Sequence, residues 1–573
     1  MIATRSSRLV ILCASAVLGV LSPGNTVGAM MTELGCLYCH ADLPGKSSLR
    51  DMAPDLSSAG LRYNPAYLFE FLQRPTKVRQ YLGRARMPDF HFSPPEALAL
   101  AAFLQTQQTI PGSWPELPSS VERVAARDPV PLSPAQLSTV KTESLICLTC
   151  HTLEGKGGHR AVEWADIGFR LQPQWIRQYL VEPSMFGVHP TNMPALFYRL
   201  SPDGRSFQEL VPEAPEKISL LADYFFSLNS EKREVLEKEY RVAKANFPKA
   251  TATLGEAIFR AQNCAACHRH VSIAPRSSSA PDLMRESVRV TPGWLRNYLR
   301  HPTPIRPFGF SPGDGARMPD FALSGAEVEE VLGIFSMASN PHPQKSDFQA
   351  RKLSVFSRKK ARLLLTEKLS CLGCHRLGAQ GGRIGPDLTE VRARLRPDYV
   401  YGMITNPRTL NPRTIMPQAP LSAETAELLA SFLFQEDEPL QREAYASLLG
   451  FSIMPEPVSA VSEADAAVPE ARNRYFKCCA PCHGIEGRGD GFNARFLQQT
   501  PAIHADSISM SRRADDTLYD GIASGGAMLD RSHLMPPWGA TFSRAEITGL
   551  VGYIRTLCRC QGPAWSLDNV TGR

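Results

Sequence analysis

After residue 29 the sequence lacks a long hydrophobic run, and no strand pattern recurs anywhere in it. A membrane-spanning helix needs about 20 consecutive apolar residues, so nothing beyond the N-terminus is expected to cross a bilayer. Half-buried strands alternate apolar and polar residues, and the scarcity of that alternation leaves helices as the main expected element. Hydrophobic residues still make up 43% of the chain, which is enough for packed cores. The sequence therefore predicts an all-α fold.

Cysteine is scarce outside one string that occurs five times. Only Cys13, Cys478, Cys558 and Cys560 of the 14 cysteines lie outside it. The five copies are Cys36-Leu-Tyr-Cys39-His40, Cys147-Leu-Thr-Cys150-His151, Cys264-Ala-Ala-Cys267-His268, Cys371-Leu-Gly-Cys374-His375 and Cys479-Ala-Pro-Cys482-His483. In this string the two thiols add to the vinyl groups of a porphyrin, and the adjacent histidine reaches the iron. The sequence thus predicts five covalently attached haem c groups, held by these cysteines and ligated by these histidines.

The balance of charge indicates no particular partner. The formal net charge is +7. Each haem would add two propionates and about one positive charge at a ferric centre, so the total becomes roughly +2 when oxidised and roughly −3 when reduced. Nucleic-acid binding is therefore not expected.

The N-terminus has the features of an export signal. Arg5 and Arg8 precede the apolar segment from Leu9 to Leu21, and Val27-Gly28-Ala29 offers a cleavage site of small residues. Residues 1–29 are interpreted as a signal peptide, and a retained membrane anchor is the alternative. Because haem c is attached outside the cytoplasmic membrane, a periplasmic or exported location is expected.

The haem strings recur with a regular period. Their first cysteines lie at positions 36, 147, 264, 371 and 479, so successive differences are 111, 117, 107 and 108 residues. Such a period indicates tandem copies of one structural unit. We name the copies repeat 1 (30–125), repeat 2 (126–247), repeat 3 (248–350), repeat 4 (351–455) and repeat 5 (456–573). Each repeat is predicted to be one domain that binds one haem.

Two helical patterns recur. In repeats 1 to 4, two prolines ten positions apart enclose a segment with an aromatic residue two positions after the first proline. Proline suits the first turn of a helix and the position after its end, so each segment is predicted to be a short helix. The segments are Pro65 to Pro75, Pro173 to Pro183, Pro292 to Pro302 and Pro397 to Pro407. Every repeat also ends in an apolar helical pattern, and polar linkers such as Ser230 to Pro248 are expected between repeats.

A Met-Pro dipeptide follows each haem string. The five are Met87-Pro88, Met193-Pro194, Met318-Pro319, Met416-Pro417 and Met535-Pro536. A thioether favours ferrous iron, and the following proline biases the methionine towards an extended strap, so these methionines are predicted as sixth iron ligands. Bis-histidine coordination through His91, His189 or His533 stays open in repeats 1, 2 and 5. Repeat 4 has no other histidine, which leaves Met416 or Met403 once the linker residue Met454 is set aside.

With these strings and methionines, the chain resembles tandem class I c-type cytochromes over nearly all of its length after the leader. The resemblance implies that Gly255 to Phe259 belongs to a leading helix that packs on an aromatic residue of the closing helix, such as Phe335. In repeat 5, Tyr475 or Phe476 would pair in this way with Tyr553.

The resemblance also implies that a backbone carbonyl orients each proximal imidazole. Pro54, Pro281 and Pro386 are the matching residues in repeats 1, 3 and 4, and the Ala165 carbonyl could serve in repeat 2, where the motif departs from the family. Hydrogen bonds to the propionates are implied for the aromatic residues Tyr67, Trp175, Trp294 and Tyr399.

Repeat 5 has its own character. The run from His483 to Gly491 and the later Met535-Pro-Pro-Trp-Gly539 are similar to single-haem domains of cbb3-type oxidase subunits and of soluble carriers. The extra cysteines lie on two helices that should cross, so a disulfide from Cys478 to Cys558 or Cys560 is a hypothesis.

These features favour an electron-transfer protein, a multihaem c-type cytochrome working between respiratory redox partners. Two alternatives stay open: a haem-dependent redox enzyme resembling nitrite reductases or peroxidases, and a haem subunit of a membrane respiratory complex. Haem catalysis needs an open distal site, and the pentahaem nitrite reductases replace one string histidine by lysine, whereas all five strings here end in histidine. No catalytic residue is therefore assigned.

Overall fold

The computed structural model describes residues 30–31, 33–36, 39, 53–78, 84–110, 116–125, 127–186, 193–275, 280–281, 283, 285–303, 305, 317–337, 347–435 and 467–567. The expected signal peptide, His40, His189 and Met454 lie outside these residues. The chain is about 53% helical with little strand, in agreement with the all-α prediction. Within the described ranges, no helix is both long and apolar enough to span a bilayer.

Repeats 1 and 2 supply nine of the α-helices with described bounds, together with two small hairpins. Repeat 1 contains α1 (Ala59–Arg62), α2 (Pro65–Gln73), α3 (Pro94–Gln105) and α4 (Ser119–Ala125). Repeat 2 contains α5 (Pro134–Glu143), α6 (Ile167–Arg170), α7 (Pro173–Val181), α8 (Ala214–Ser227) and α9 (Ser230–Asn246), with the antiparallel pairs β1 (Thr152–Leu153) with β2 (Lys156–Gly157) and β3 (Tyr198–Leu200) with β4 (Phe207–Glu209). The segment expected to be a polar linker is therefore the helix α9, which is largely exposed but buries Leu236 and Ala243.

Repeats 3 to 5 are also built mainly of helices. Repeat 3 contains α10 (Ala252–Ala261), α11 (Glu286–Arg289), α12 (Pro292–Arg300) and α13 (Gly325–Met337). Repeat 4 contains α14 (Val355–Leu363), α15 (Cys371–Cys374), α16 (Val391–Arg394), α17 (Pro397–Thr405), α18 (Pro407–Leu410) and α19 (Ala423–Leu433), with the hairpin β5 (Arg376–Leu377) and β6 (Gln380–Gly381). Repeat 5 contains α20 (Ala467–Cys478), α21 (Ala480–His483), α22 (Ser507–Ser511), α23 (Asp515–Ser524), α24 (Arg544–Cys558) and α25 (Ala564–Leu567).

All four helices expected between paired prolines are present. Each of α2, α7, α12 and α17 is nine residues long, begins at its proline and ends two residues before the next proline. Proline at the first helical position loses no backbone hydrogen bond, and its fixed φ favours the helix. The residue before the proline is extended in each case, as the steric bulk of the proline ring requires.

These extended residues join the repeats in pairs. Asn64 N donates to Arg170 O at 2.9 Å, and Gln172 N donates to Arg62 O at 2.9 Å, so repeats 1 and 2 meet in a short antiparallel bridge. Repeats 3 and 4 form the equivalent bridge, because Thr291 N donates to Arg394 O at 2.9 Å and Arg396 N to Arg289 O at 3.0 Å. The proline helices are thus anchored at their starts to a neighbouring repeat.

The hydrophobic cores of repeats 1 and 3 are shared. The core around α2 and α3 of repeat 1 includes Ile258 and Phe259 of α10, which belongs to repeat 3. The core around α12 and α13 of repeat 3 includes Met30, Met31 and Leu34 of repeat 1. Phe259 therefore meets Phe103 at a ring-centroid distance of 5.3 Å, and the expected pairing of Phe259 with Phe335 is wrong.

Candidate haem-binding sites

Each haem string whose histidine lies in the described chain folds into one helical turn. In all four, the backbone N–H of the histidine donates to the backbone carbonyl of the first cysteine at 2.9–3.0 Å. The pairs are His151 with Cys147, His268 with Cys264, His375 with Cys371, and His483 with Cys479. Residues three and four apart share one face of a helical turn, so both thiols and the imidazole can reach the same porphyrin.

A backbone carbonyl orients each of these four imidazoles. The distances from Nδ1 to the carbonyl oxygen are 2.9 Å for His151 and Val162, 3.0 Å for His268 and Pro54, 2.7 Å for His375 and Pro386, and 2.9 Å for His483 and Ala502. Such a bond fixes the tautomer that leaves Nε2 free for a metal. Burial lowers the pKa of His151 and of His483, which favours the neutral imidazole that a ligand needs.

These bonds confirm one sequence expectation and correct two. Pro386 is the acceptor for His375, as expected. In repeat 3 the acceptor for His268 Nδ1 is Pro54 O of repeat 1 and not Pro281 O. His40 lies outside the described residues, so its acceptor stays a prediction. In repeat 2 the acceptor is Val162, while Ala165 O accepts from Asn229 instead.

Repeats 1 and 3 enclose a common cavity. Its volume is about 340 Å³, within the range of cofactor sites, and most of its lining is apolar. Cys36, Cys264, Met87 and Met318 all line it. Cys39 lies close enough to Cys264 to add to the effect of burial, and together they raise the pKa of the Cys264 thiol to about 12. The cysteines and methionines of both repeats at this cavity are the donor types that two haems with neighbouring attachment strings would need.

The two methionine straps at this cavity pair with each other. Asp89 and Asp320, each two residues after its methionine, exchange backbone hydrogen bonds of 2.7 Å. The arginine before each methionine crosses to the first turn of the other repeat's closing helix, so Arg86 pairs with Glu327 at 3.2 Å and Arg317 pairs with Glu96 at 2.5 Å. The straps are thus related by an approximate twofold axis and hold each other in place.

Acid is expected to weaken this strap contact through Glu327. Burial alone would raise the pKa of Glu327, but hydrogen bonds from Ser324 and Arg86 outweigh it and hold that pKa below its ordinary value of 4.5. A carboxyl with a lowered folded pKa stabilises the fold above its unfolded pKa, and this contribution is lost as pH falls through the folded pKa. The unfolding midpoint should therefore fall more steeply between about pH 6 and pH 3 in the native chain than in Glu327→Gln.

Denaturant titrations at several pH values measure this difference. The matched control is Glu239→Gln, because Glu239 is an exposed carboxylate of α9. Equal pH slopes in the native chain and Glu327→Gln would contradict the assignment.

The strings of repeats 4 and 5 meet at Asn493, which is fully buried. Its Nδ2 donates to Gly373 O at 2.8 Å and lies 3.3 Å from Cys482 Sγ, and its Oδ1 accepts from Arg383 N at 2.7 Å. Cys482 also contributes, after burial, to the raised pKa of Cys374. The second cysteines of the two strings are therefore neighbours.

The remaining candidate methionines, Met193, Met416 and Met535, are all partly buried. Met193 packs against the core of repeat 2 and Met535 against the core of repeat 5. The Met416 backbone N–H donates to Thr414 Oγ1 at 3.1 Å, which tethers the strap of repeat 4. Of the rival histidines, His91 has a side chain that is 53% exposed and lies 3.4 Å from Asp89.

Arginines outside the sequence motifs lie against the candidate propionate-binding aromatics. The Arg62 guanidinium lies 4.9 Å from the Trp175 ring, and that of Arg170 lies 5.3 Å from the Tyr67 ring. The Nε atoms of Arg62 and Arg170 are buried and have no hydrogen-bond partner within the described ranges. Burial also raises the pKa of Tyr67 to about 12, so its hydroxyl stays protonated.

Buried cationic donors of this kind suit a haem propionate. The sequence carried a signal for them, because an arginine stands three positions before the first proline of each proline helix. The four are Arg62, Arg170, Arg289 and Arg394.

Repeat 5 confirms one expected contact and corrects another. Tyr475 packs on Tyr553 with ring centroids 5.1 Å apart, as expected for the leading and closing helices. The disulfide joins Cys558 to Cys560, and Cys478 is free, so the expected bond from Cys478 to either of them is wrong. His504 is buried, stacks on His483 at 4.1 Å and hydrogen-bonds the Tyr475 hydroxyl at 3.0 Å, which gives it a structural place.

Comparison with known proteins assigns repeat 5. Residues 466–554 match the family model of cytochrome C oxidase, cbb3-type, subunit III. This segment is a cytochrome c domain, which implies a covalently bound haem c and a haem-based redox role. No curated protein matches the chain. A solved structure, the Kuenenia stuttgartiensis reducing HAO-like protein complex, is similar at 17% identity over 37% of this chain and 99% of that chain, but its TM-score of 0.14 supports no comparison of folds.

Proposed function

We propose that the protein is a five-haem c-type cytochrome that carries electrons between respiratory redox partners outside the cytoplasmic membrane. The observation that supports this is one recurring arrangement. In each string with a described histidine, a single helical turn presents two thiols and an imidazole whose Nδ1 is held by a carbonyl. When bound, haem c supplies reversible one-electron exchange at its iron.

The chain's own groups would set the properties of that exchange. The ten string cysteines would hold the porphyrins covalently, and the string histidines would bind iron through Nε2. The strap methionines would be the further ligands, which raise the reduction potential, and with all of them bound no site would stay open for a substrate. An electron carrier is therefore favoured over an enzyme.

The contacts between strings suggest how electrons would cross the molecule. The strings of repeats 1 and 3 line one cavity, and those of repeats 4 and 5 share Asn493. Repeats 1 and 2, and repeats 3 and 4, are joined by backbone bridges. We propose that haems held in these positions form a connected series, with a donor and an acceptor protein at its exposed edges.

The match of repeat 5 to a subunit of a membrane oxidase favours a second candidate function, a haem subunit docked on a membrane respiratory complex. An uncleaved N-terminal anchor would serve the same purpose. Purification from membranes separates the two: a free carrier is released by salt alone, whereas a docked subunit co-purifies with integral membrane partners.

A haem count and spectroscopy of the purified protein test the proposal. We expect five haems by pyridine haemochrome, a mass increased by five haem groups, low-spin ferric signals and a methionine-to-iron charge-transfer band. Fewer covalent haems would refute the five-haem assignment. A high-spin fraction that binds cyanide at once would refute the carrier assignment and favour the enzyme.

A further inference from the structure

In repeat 4 the haem string is hydrogen-bonded to a segment of the same repeat, whereas the repeat 3 string is hydrogen-bonded to the equivalent segment of repeat 1. In repeat 4, Pro386 O accepts from His375 at 2.7 Å and Leu388 N donates to Arg376 O at 2.9 Å. The same two bonds hold the repeat 3 string, but residues of repeat 1 provide the other half. Pro54 O lies 3.0 Å from His268 Nδ1, and Leu56 N donates to Arg269 O at 3.0 Å.

The helices around the string follow the same exchange. In repeat 5 the leading helix α20 crosses the closing helix α24 of its own repeat, with Ala471 and Gly549 in contact. The leading helix α10 of repeat 3 instead crosses α3, the closing helix of repeat 1. Gly255 rests there on the Ala99 carbonyl, and Phe103 packs on Phe259.

The exchange is reciprocal. Met30, Met31 and Leu34 precede the repeat 1 string, and they are buried with Val331 and Phe335 of the repeat 3 closing helix. Cys36 packs against this same cluster. Cys36 of the repeat 1 string therefore packs against repeat 3, and the repeat 3 string packs against repeat 1.

The methionine straps, unlike the strings, pack against the cores of their own repeats. Met87 and Phe90 pack against the core that also holds Cys264 and Phe259. Phe321, which follows Met318 by three residues, packs against the core that holds Cys36. Each strap thus faces the string of the other repeat.

From this packing we infer crossed iron ligation: Met87 is the sixth ligand of the haem attached at Cys264 and Cys267, and Met318 is that of the haem attached at Cys36 and Cys39. The inference rests on the proposed haem binding and changes only which methionine serves which haem. The ligand set within the described residues is His268 with Met87.

Tagging one haem separates crossed from uncrossed ligation. In Cys264→Ala the repeat 3 haem keeps one thioether and one free vinyl group, whose conjugation moves the α band of that haem to longer wavelength. Adding Met87→Ala is expected to remove this shifted low-spin band and produce one high-spin haem. Adding Met318→Ala should leave the shifted low-spin band intact and should convert one haem with an unshifted band to high spin. Loss of the shifted band with Met318→Ala, or its survival in both double variants, would overturn the inference.

A second set of variants works if the tagged protein is unstable. Cys36→Ala with Cys39→Ala removes the repeat 1 haem, and mass spectrometry confirms the loss. In that background Met318→Ala should add no high-spin signal, whereas Met87→Ala should add one full equivalent. The opposite pattern would establish that each repeat ligates its own haem. A wild-type protein with five low-spin haems keeps the proposed function intact under either outcome.

Discussion

Replacing Gly255 with alanine is expected to lower the free energy of unfolding by about 3 kcal/mol or more, because helices α10 and α3 cross at this residue. A Cβ on Gly255 would overlap the Ala99 carbonyl oxygen and lie 2.7 Å from the Phe103 Cβ. The obstructing atoms are a helix carbonyl and a Cβ fixed to the helix backbone, so they cannot rotate away. The crossing also carries the repeat 3 haem string, so the loss should appear in haem signals as well as in stability.

The matched control is Gly333→Ala, which makes the same change in helix α13. Within the described ranges nothing lies within 4 Å of the position that its Cβ would occupy. Alanine there should raise stability by about 0.5–1 kcal/mol through helix propensity alone. Denaturant unfolding followed by haem circular dichroism measures both variants. Equal stability of the two variants would show that α10 does not cross α3 closely.

Replacing Asn493 with alanine is expected to separate the strings of repeats 4 and 5. The substitution leaves Gly373 O and Arg383 N buried without their partner. Each such orphaned group costs about 1–3 kcal/mol, so the loss should amount to a few kcal/mol. Because the same side chain also contacts Cys482 Sγ, we expect slower electron exchange between these two haems.

Flash reduction with time-resolved absorbance measures that exchange, and denaturant titration measures the stability. Asn246→Ala serves as control, since Asn246 ends helix α9 in an exposed position. It should change neither quantity beyond about 0.5 kcal/mol or its kinetic equivalent. Unchanged stability in Asn493→Ala would mean that the contact between the strings does not depend on this amide.

The helices of each repeat could be predicted from the sequence because their signals are local. Proline at the first position and an apolar face are enough to place α2, α7, α12 and α17. The one-turn string is equally local, since its spacing is set by a single porphyrin. These features do not depend on which other repeat lies nearby.

The exchange between repeats 1 and 3 could not be predicted for the opposite reason. Ala53-Pro54-Asp55-Leu56 and Ala280-Pro281-Asp282-Leu283 are identical tetrapeptides, so either can accept from either histidine. The choice depends on packing between distant segments, such as the fit of Gly255 against Ala99. Val162 was missed in repeat 2 because any residue offers a carbonyl, and only the fold selects one.

The exchange has a consequence for how the chain matures. Pro54 and His268 are 214 residues apart, whereas Pro386 and His375 are 11 apart. After export the repeat 3 string can therefore pack fully only against a repeat 1 that lies more than 200 residues away, and contacts over such distances form slowly. In a partly folded chain, repeats 1 and 3 can pair with the complementary repeats of a second copy instead of with each other. We expect concentrated refolding to yield domain-swapped dimers, in which one chain's leading segment completes the other's repeat 3.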